Sequence, residues 1–291
     1  MPTVTVITPT YNRENTLWKL YTSLIHQSCQ DFEWLVIDDG STDNTGQIIE
    51  EMIKQNNIPI KYIYKQNGGK HSALNKGIPL IKSKMTIIVD SDDQLLPVAI
   101  ETIIKFGEKY YRNKSISALS FLRIFSNGKP VRSLEQSEYE ESYIEYLIKQ
   151  KHPGDMAEVF FTHVLKEFPF PEFTGERFLS EDVVWIEMGK RYKYIFVNKP
   201  IYQCEYLSDG LTANDKPLKF ASPLGSMLRG KKLMSLECGL KANIKGAIIY
   251  NCYKINTAEN IPEVLKLTGR EKILTFFTRP LGRMYNIKWR K

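Results

Sequence analysis

A chain of 291 residues, 42 % hydrophobic and 25 % charged, has the composition of a soluble globular protein with room for one large α/β domain and an appendage. Its 4 cysteines (Cys29, Cys204, Cys238, Cys252) stand far apart without CxxC spacing, which argues against a zinc site and for a reducing compartment. The net charge of +7 is uneven: residues 211–291 hold 16 Lys and Arg against 5 Asp and Glu, a net +11, and the remainder is mildly acidic at −4.

VTVITPT (4–10) reads as a strand, NTLWKLYTSLIHQ (15–27) has helical spacing, FEWLVIDD (32–39) is a second strand and TGQIIEEMIKQN (45–56) a second helix. IKYIYK (60–65), a helix near HSALNKGIPLI (71–81), the strand TIIVD (86–90) and a helix near LPVAIETIIKFGEKY (96–110) continue the alternation. That βαβαβαβα order predicts a doubly wound, mostly parallel sheet flanked by helices. The second half is less regular: a strand at SALSFLRIF (117–125), the polar stretch RSLEQSEYEES (132–142), a helix near YIEYLIKQ (143–150), and one or two strands in YKYIFVNKPIYQCEY (192–206). The residues after Pro217 offer the one boundary, giving a domain over 1–215, with halves 1–100 and 101–215, and a basic helical extension over 216–291.

Strand-like sequence from Val4 leaves no room for a signal peptide, and no apolar run approaches the roughly 18 residues that span a bilayer, so a cytoplasmic protein is expected. The end, KILTFFTRPLGRMYNIKWRK (272–291), interleaves aromatic and apolar residues with cations. It suits either the surface of an anionic membrane, at about 1 kcal/mol per cation, or a helical cap with a solvated basic face. It could instead pair subunits into a homo-oligomer, and no motif supports nucleic acid as a partner.

The chemistry gathers in loops after successive strands. TIIVDSDD (86–93) delivers Asp90, Asp92 and Asp93 to the carboxyl end of a buried strand, where ligands bind in an open α/β sheet. Carboxylates so crowded raise one another's pKa, and such a cluster persists when a cation sits among them. TPTYNR (8–13) follows the first strand. DDGSTDNT (38–45) follows the second, with Asp38 and Asp39 offering acceptors and Ser41, Thr42 or Asp43 suited to capping the next helix. NGGKHSALNKG (67–77) brings two glycines, Lys70 and His71 to a helix start, where backbone N–H groups and the lysine suit a phosphate.

Further on, FLSEDVVWIEMGKRY (178–192) puts Glu181 and Asp182 in the first turn of a helix that Ser180 could cap. They either complement the helix dipole, worth about 0.3–1 kcal/mol each, or serve as a base. In HPGDMAEVFF (152–161), Asp155 and Glu158 are candidates for binding the hydroxyls of a polar ligand; FPFPEF (168–173) is expected to pack, and a Gly turn in EYLSDGLTAN (205–214) could close over a ligand. His26, His152 and His163 lack spaced partners for a metal and are expected to be structural.

Taken in order, VTVITPTYNRENTL, VIDDGSTDNT, NGGKHSALNKG and VDSDD, the last as a DxD motif, resemble the family 2 glycosyltransferases, inverting enzymes of the GT-A fold that use nucleotide-sugar donors. The likeness is strong over about residues 3–100 and continues to about 210 through SEDVVW and EYLSDGLT, while the tail matches loosely. It implies that Thr8, Pro9, Tyr11 and Arg13 frame the nucleotide and that Asp39 accepts the imide N–H of uracil. Lys70 would lie near the diphosphate. Asp92 would touch Mn²⁺ or Mg²⁺ directly, with Asp90 nearer the ribose or the metal's water shell, Ser91 beside the nucleotide sugar and Asp93 in support. The acid pair would supply the base, Asp182 by the family's habit or Glu181. The implied donor is a UDP-sugar and the implied acceptor a lipid-linked glycan of a bacterial capsule or surface polysaccharide, handled at the inner face of the plasma membrane. Two other classes stand as alternatives. A sugar-phosphate nucleotidyltransferase would carry a Gly-rich basic loop after the first strand, which TPTYNRENT lacks, and a non-catalytic sugar-nucleotide or glycan-binding module has no need of a base.

Overall fold

The computed structural model describes residues 1–150, 154–204, 215–257 and 261–290. His152 and the EYLSDGLTAN turn lie outside the described residues. The chain forms two compact units interleaved in sequence: Met1–Glu141 with Pro153–Pro169 and Tyr192–Glu205, and Ser142–His152 with Phe170–Arg191 and Tyr206–Lys291.

The first unit carries β1 (Val4–Thr10), α1 (Leu17–Ile25), β2 (Phe32–Asp38), α2 (Thr45–Gln55), β3 (Ile60–Tyr64), α3 (Lys70–Gly77), β4 (Met85–Ile88), β5 (Gln94–Leu95), α4 (Ala99–Tyr110), β6 (Ile116–Phe125), β7 (Glu138–Glu141), β8 (Met156–Phe161), α5 (Thr162–Leu165) and β9 (Lys193–Cys204). All seven residues of β1 and of β2 are buried, as expected of parallel strands covered on both faces. Helix α1 buries Leu17, Leu20, Tyr21 and Leu24, and α4 buries Ile100, Ile103 and Phe106, one stripe of each at helical spacing.

The sheet runs β3-β2-β1-β4-β8-β6-β9-β5, with β7 also on β9. Strands β3, β2, β1 and β4 are parallel, as the alternation predicts. Beyond β4 the sheet is mixed: β8 lies antiparallel to both β4 and β6, while β9 is parallel to β6. Residues 193–204 make one strand, with register shifts near Pro200, where a ladder donor is missing. The polar stretch 132–142 supplies β7, which adds Glu138–Glu141 antiparallel to Tyr194–Val197.

In the second unit, Ile144–Lys149 is a π-helical turn, followed by α6 (Asp182–Gly189), α7 (Asp215–Ala221), α8 (Pro223–Leu233), α9 (Gly239–Lys254) and α10 (Gly269–Arg290). The N-cap of α6 is Glu181, not Ser180, and it makes no side-chain capping bond. The start of α8 is held by Glu176, whose carboxylate accepts the N–H groups of Leu224 at 2.6 Å and Gly225 at 2.8 Å. Helices α8 and α9 approach so closely that a Cβ on Gly246 would come within 2.4 Å of the Gly230 carbonyl oxygen. Among the described residues no helix is long and apolar enough to cross a membrane.

Candidate active site

The loops leaving β1 and β2 are bonded into one surface. Asn12 donates its N–H to Ser41 Oγ at 2.9 Å and accepts the Thr42 N–H on Oδ1 at 2.9 Å; Arg13 donates its N–H to Thr45 Oγ1 at 2.8 Å. Asp43 accepts the N–H groups of Thr45 at 3.0 Å and Glu14 at 3.2 Å. The N-cap position of α2 is Asn44, which makes no side-chain capping bond; Asp43 instead holds the N–H of Thr45, the first helical residue, while Ser41 and Thr42 join the two loops. Thr8 is fully buried, its hydroxyl accepting the Trp34 indole N–H at 3.0 Å, and Pro9 is buried opposite Ile37. Tyr11, 43 % exposed, and half-buried Arg13 reach the surface.

The two acids after β2 point different ways. Asp38 is buried, with the Ser41 N–H at 2.8 Å and the Tyr62 hydroxyl at 2.9 Å; burial and the Asp38 charge push the Tyr62 phenol upward. Asp39 orders the glycine loop, accepting the N–H groups of Gly68 at 2.9 Å and Gly69 at 2.6 Å and the Lys65 ammonium at 2.7 Å. Gly69 sits at φ +92°, a backbone region that side chains disfavour and glycine enters freely. Both glycine N–H groups are thereby engaged by Asp39. About four lone-pair directions belong to a carboxylate, so roughly one of Asp39's remains for a ligand.

Lys70, at the first position of α3, pairs with Asp90 at 2.5 Å. Burial works to raise the Asp90 carboxyl, but Lys70, Arg123 and Arg13 outweigh it and hold Asp90 below the usual carboxylate range. Asp92 moves the other way, raised first by burial and then by the neighbouring Asp90 charge. Ser91 is buried between them. Asp93 is a foundation for the turn. Its N–H bonds the Asp90 carbonyl at 3.1 Å, and its Oδ2 accepts the Tyr202 hydroxyl at 2.7 Å. Tyr202 in turn accepts the Asp90 N–H at 3.1 Å, and the Arg123 guanidinium lies 4.3 Å from its ring centroid. Tyr202, Arg123 and Lys65 escaped the sequence reading. Arg123 left a signal, as the one charge within SALSFLRIF.

Thus Arg13, Lys70, Asp90 and Asp92 form one electrostatic cluster. Glu181 and Asp182 belong to the second unit, where Arg229 of α8 donates Nε to the two Asp182 oxygens at 2.7 and 3.0 Å and Nη2 to Oδ2 at 2.7 Å. Glu181 is half-buried. Asp155 is exposed, and Glu158 is half-buried within β8. His163 stacks on Phe161, and Phe170 packs edge-on to Trp185, as packing residues. Among the described residues no group of three His, Cys, Asp or Glu could hold a metal.

Residues 5–170 match the sequence profile of Glycosyl transferase family 2. The chain belongs to that family. Over 205 residues the chain is 29 % identical to the GalNAc(5)-diNAcBac-PP-undecaprenol beta-1,3-glucosyltransferase of Campylobacter jejuni, covering 68 % of this chain and 63 % of the relative. It is 31 % identical over 210 residues to an uncharacterized glycosyltransferase of Rickettsia bellii, covering 72 % of this chain but 29 % of that protein. The chain thus spans about a third of the length of its Rickettsia relatives, 29 % to 35 %. The crystal structure of S. aureus TarS 1–349 in complex with UDP-GlcNAc superposes with a TM-score of 0.62 at 19 % identity, covering 100 % of this chain and 92 % of that one. That likeness speaks for the fold, and the architecture is GT-A.

Proposed function

We propose that this family 2 glycosyltransferase moves a sugar from a UDP-sugar to a hydroxyl of a glycan acceptor, with inversion at the anomeric carbon. The observation that carries the reading is the convergence of three strand-end loops on Arg13, Lys70, Asp90 and Asp92, a cationic and anionic pair of pairs suited to a metal diphosphate. The UDP-GlcNAc held by the structural neighbour supports the choice of nucleotide. Tyr11 and Arg13 would flank the uridine, and the open lone pair of Asp39 would take the imide N–H. Thr8 and Pro9 would act through the packing of β1 beneath them, and Ser91 would present the turn to the nucleotide sugar.

Asp90 and Asp92 fit a divalent cation. Asp90 and Asp92, with one residue between them and no third His, Cys, Asp or Glu grouped with them among the described residues, suit Mg²⁺ or Mn²⁺ completed by substrate phosphates and water, and a cation there would offset both the burial and the Asp90 charge that raise Asp92. When bound, such an ion would act as a Lewis acid on the departing diphosphate. Lys70 adds positive charge where negative charge develops. The acceptor oxygen bonds to the anomeric carbon as that carbon's bond to the diphosphate oxygen breaks. The electron pair leaves with the nucleotide, and the hydroxyl proton passes to Asp182, or to Glu181 as the alternative base.

The acceptor is proposed to be lipid-linked, as the Campylobacter relative's name suggests for that protein, and built into a cell-surface or capsular polysaccharide at the inner face of the plasma membrane. Residues 216–291 would then be a membrane-associating extension of a glycosyltransferase domain over 1–215. Incubating the protein with UDP-sugars, Mn²⁺ and undecaprenyl-diphosphate-linked acceptors tests the reading: a new glycosidic bond of inverted anomeric configuration by NMR is expected, and a retained configuration would overturn it.

A further inference from the structure

Helix α10 buries polar side chains and exposes apolar ones. Its buried positions are Glu271, Thr275, Thr278, Gly282 and Asn286, a stripe recurring every three or four residues. That stripe is bonded to α9: Asn251 Nδ2 donates to the Thr275 carbonyl at 2.7 Å and to Thr278 Oγ1 at 3.1 Å, and Asn286 Nδ2 donates to the Cys252 carbonyl at 2.6 Å. At about 100° per residue, Ile273, Phe276, Phe277, Met284 and Ile287 all fall within roughly 60° of the direction opposite the stripe. They are 62 %, 70 %, 75 %, 50 % and 64 % exposed. A contiguous exposed apolar strip of this kind marks an interaction surface.

The charge beside the strip identifies its partner. Lys272, Arg279, Arg283 and Arg290 fall along one flank, roughly 80° to 120° from the strip's centre. The one acid of α10, Glu271, lies on the opposite, buried face and accepts the Thr268 N–H at 2.8 Å. On the cationic flank a cleft of about 620 Å³ opens, lined by Lys254, Lys266, Lys272, Arg279 and Arg283 with Phe276 at its apolar side. Among the described residues Glu263, on Lys266, is the one carboxylate paired with any of these five cations. A second copy of the same face would set cations against cations, whereas an anionic lipid surface supplies acyl chains and negative charge together.

We propose that α10 lies in the interface of an anionic membrane, its apolar strip among the acyl chains and a phosphate-bearing lipid headgroup in the cationic cleft. This deepens the membrane-side function proposed above, but its test involves no sugar transfer. The full chain is floated with vesicles of phosphatidylcholine alone and of equimolar phosphatidylcholine and phosphatidylglycerol. Recovery with the anionic vesicles is expected to exceed that with neutral ones by about tenfold or more. The Phe276→Ser/Phe277→Ser and Arg279→Glu/Arg283→Glu variants are each expected to lose most of it while keeping the wild-type Tm and UDP binding. Inorganic phosphate matched to the lipid phosphate is expected to leave flotation unchanged; release by it would overturn the proposal in favour of a free-anion site. Absent flotation, or equal flotation of wild type and charge-reversed protein, would overturn it as well. A dimer broken by the Phe variant without vesicle binding would do so in favour of a second copy. UDP binding, measured alongside, separates each of these failures from a failure of the transferase reading.

Discussion

Arg229 holds the Asp182 carboxylate with two nitrogens of its guanidinium, Nε reaching Oδ2 at 2.7 Å and Oδ1 at 3.0 Å while Nη2 closes on Oδ2 at 2.7 Å. A planar fork on a carboxylate fixes its orientation in a way that a lysine's point charge does not. With Asp182 as base, Asp182→Asn is expected to lower kcat by about 10²–10⁴-fold. Arg229→Met is expected to lower kcat by about tenfold with little change in the donor's KM, and Arg229→Lys to restore part of the loss. Steady-state kinetics over donor and acceptor concentrations checks the split; a Glu181→Gln variant losing more than Asp182→Asn would move the base to Glu181.

Lys70 is paired with Asp90, and we propose that it turns to the diphosphate when the donor binds. Lys70→Ala is expected to weaken UDP-sugar affinity by about tenfold or more, equivalent to ~1.4 kcal/mol. Equilibrium binding of a UDP-sugar measures this directly, and an unchanged Kd would remove Lys70 from the donor site.

Tyr202 of β9 holds the Asp90–Asp93 turn, accepting from the Asp90 N–H and donating to Asp93. Tyr202→Phe keeps the ring under Arg123 but leaves a buried carboxylate oxygen and a backbone N–H without that partner, at an expected cost of about 1–3 kcal/mol. Urea unfolding reads the loss, and the variant is also expected to bind UDP more weakly because the turn that presents Asp90 and Asp92 is loosened.

Glu187 in α6 binds Lys190 at 2.6 Å and Lys232 at 3.0 Å. Burial works to raise its carboxyl, but the two ammonium groups outweigh it and hold it below its ordinary 4.5. A carboxylate whose folded pKa is depressed stabilises the fold above its unfolded pKa and loses that contribution as pH falls through the folded one. The stability gap between wild type and Glu187→Gln is therefore expected at neutral pH and to close below about 4.5. Urea midpoints across pH 3 to 7 check it; a gap that widens on acidification would contradict the assignment.

The sheet's parallel half was legible because β1, β2 and β4 are short apolar runs with a period the eye can find, each ending in acids or turn residues. The rest depends on pairing. Strand β5 is two residues long, too short for any periodicity, and β7 reads Glu-Tyr-Glu-Glu, a polar edge segment that becomes a strand by bonding to β9. The same holds at the site. Asp90 and Asp92 announced themselves by spacing, but Tyr202 reaches Asp93 across 109 residues, and nothing in IYQCEY marks it. The glycines of NGGK read as a loop suited to a phosphate, whereas the direction of their N–H groups, toward Asp39, is a property of the folded backbone. In the tail, composition showed aromatics among cations without showing that α10 turns its polar stripe inward.

The most direct test is a calorimetric titration of UDP into the wild type and Asp92→Ala, each with and without Mn²⁺. Binding of UDP to the wild type that strengthens by about tenfold or more with Mn²⁺, and loses that gain in Asp92→Ala, is the expected result. UDP binding with equal affinity in all four conditions, or no binding in any, would contradict a metal-assisted UDP-sugar site at the end of β4.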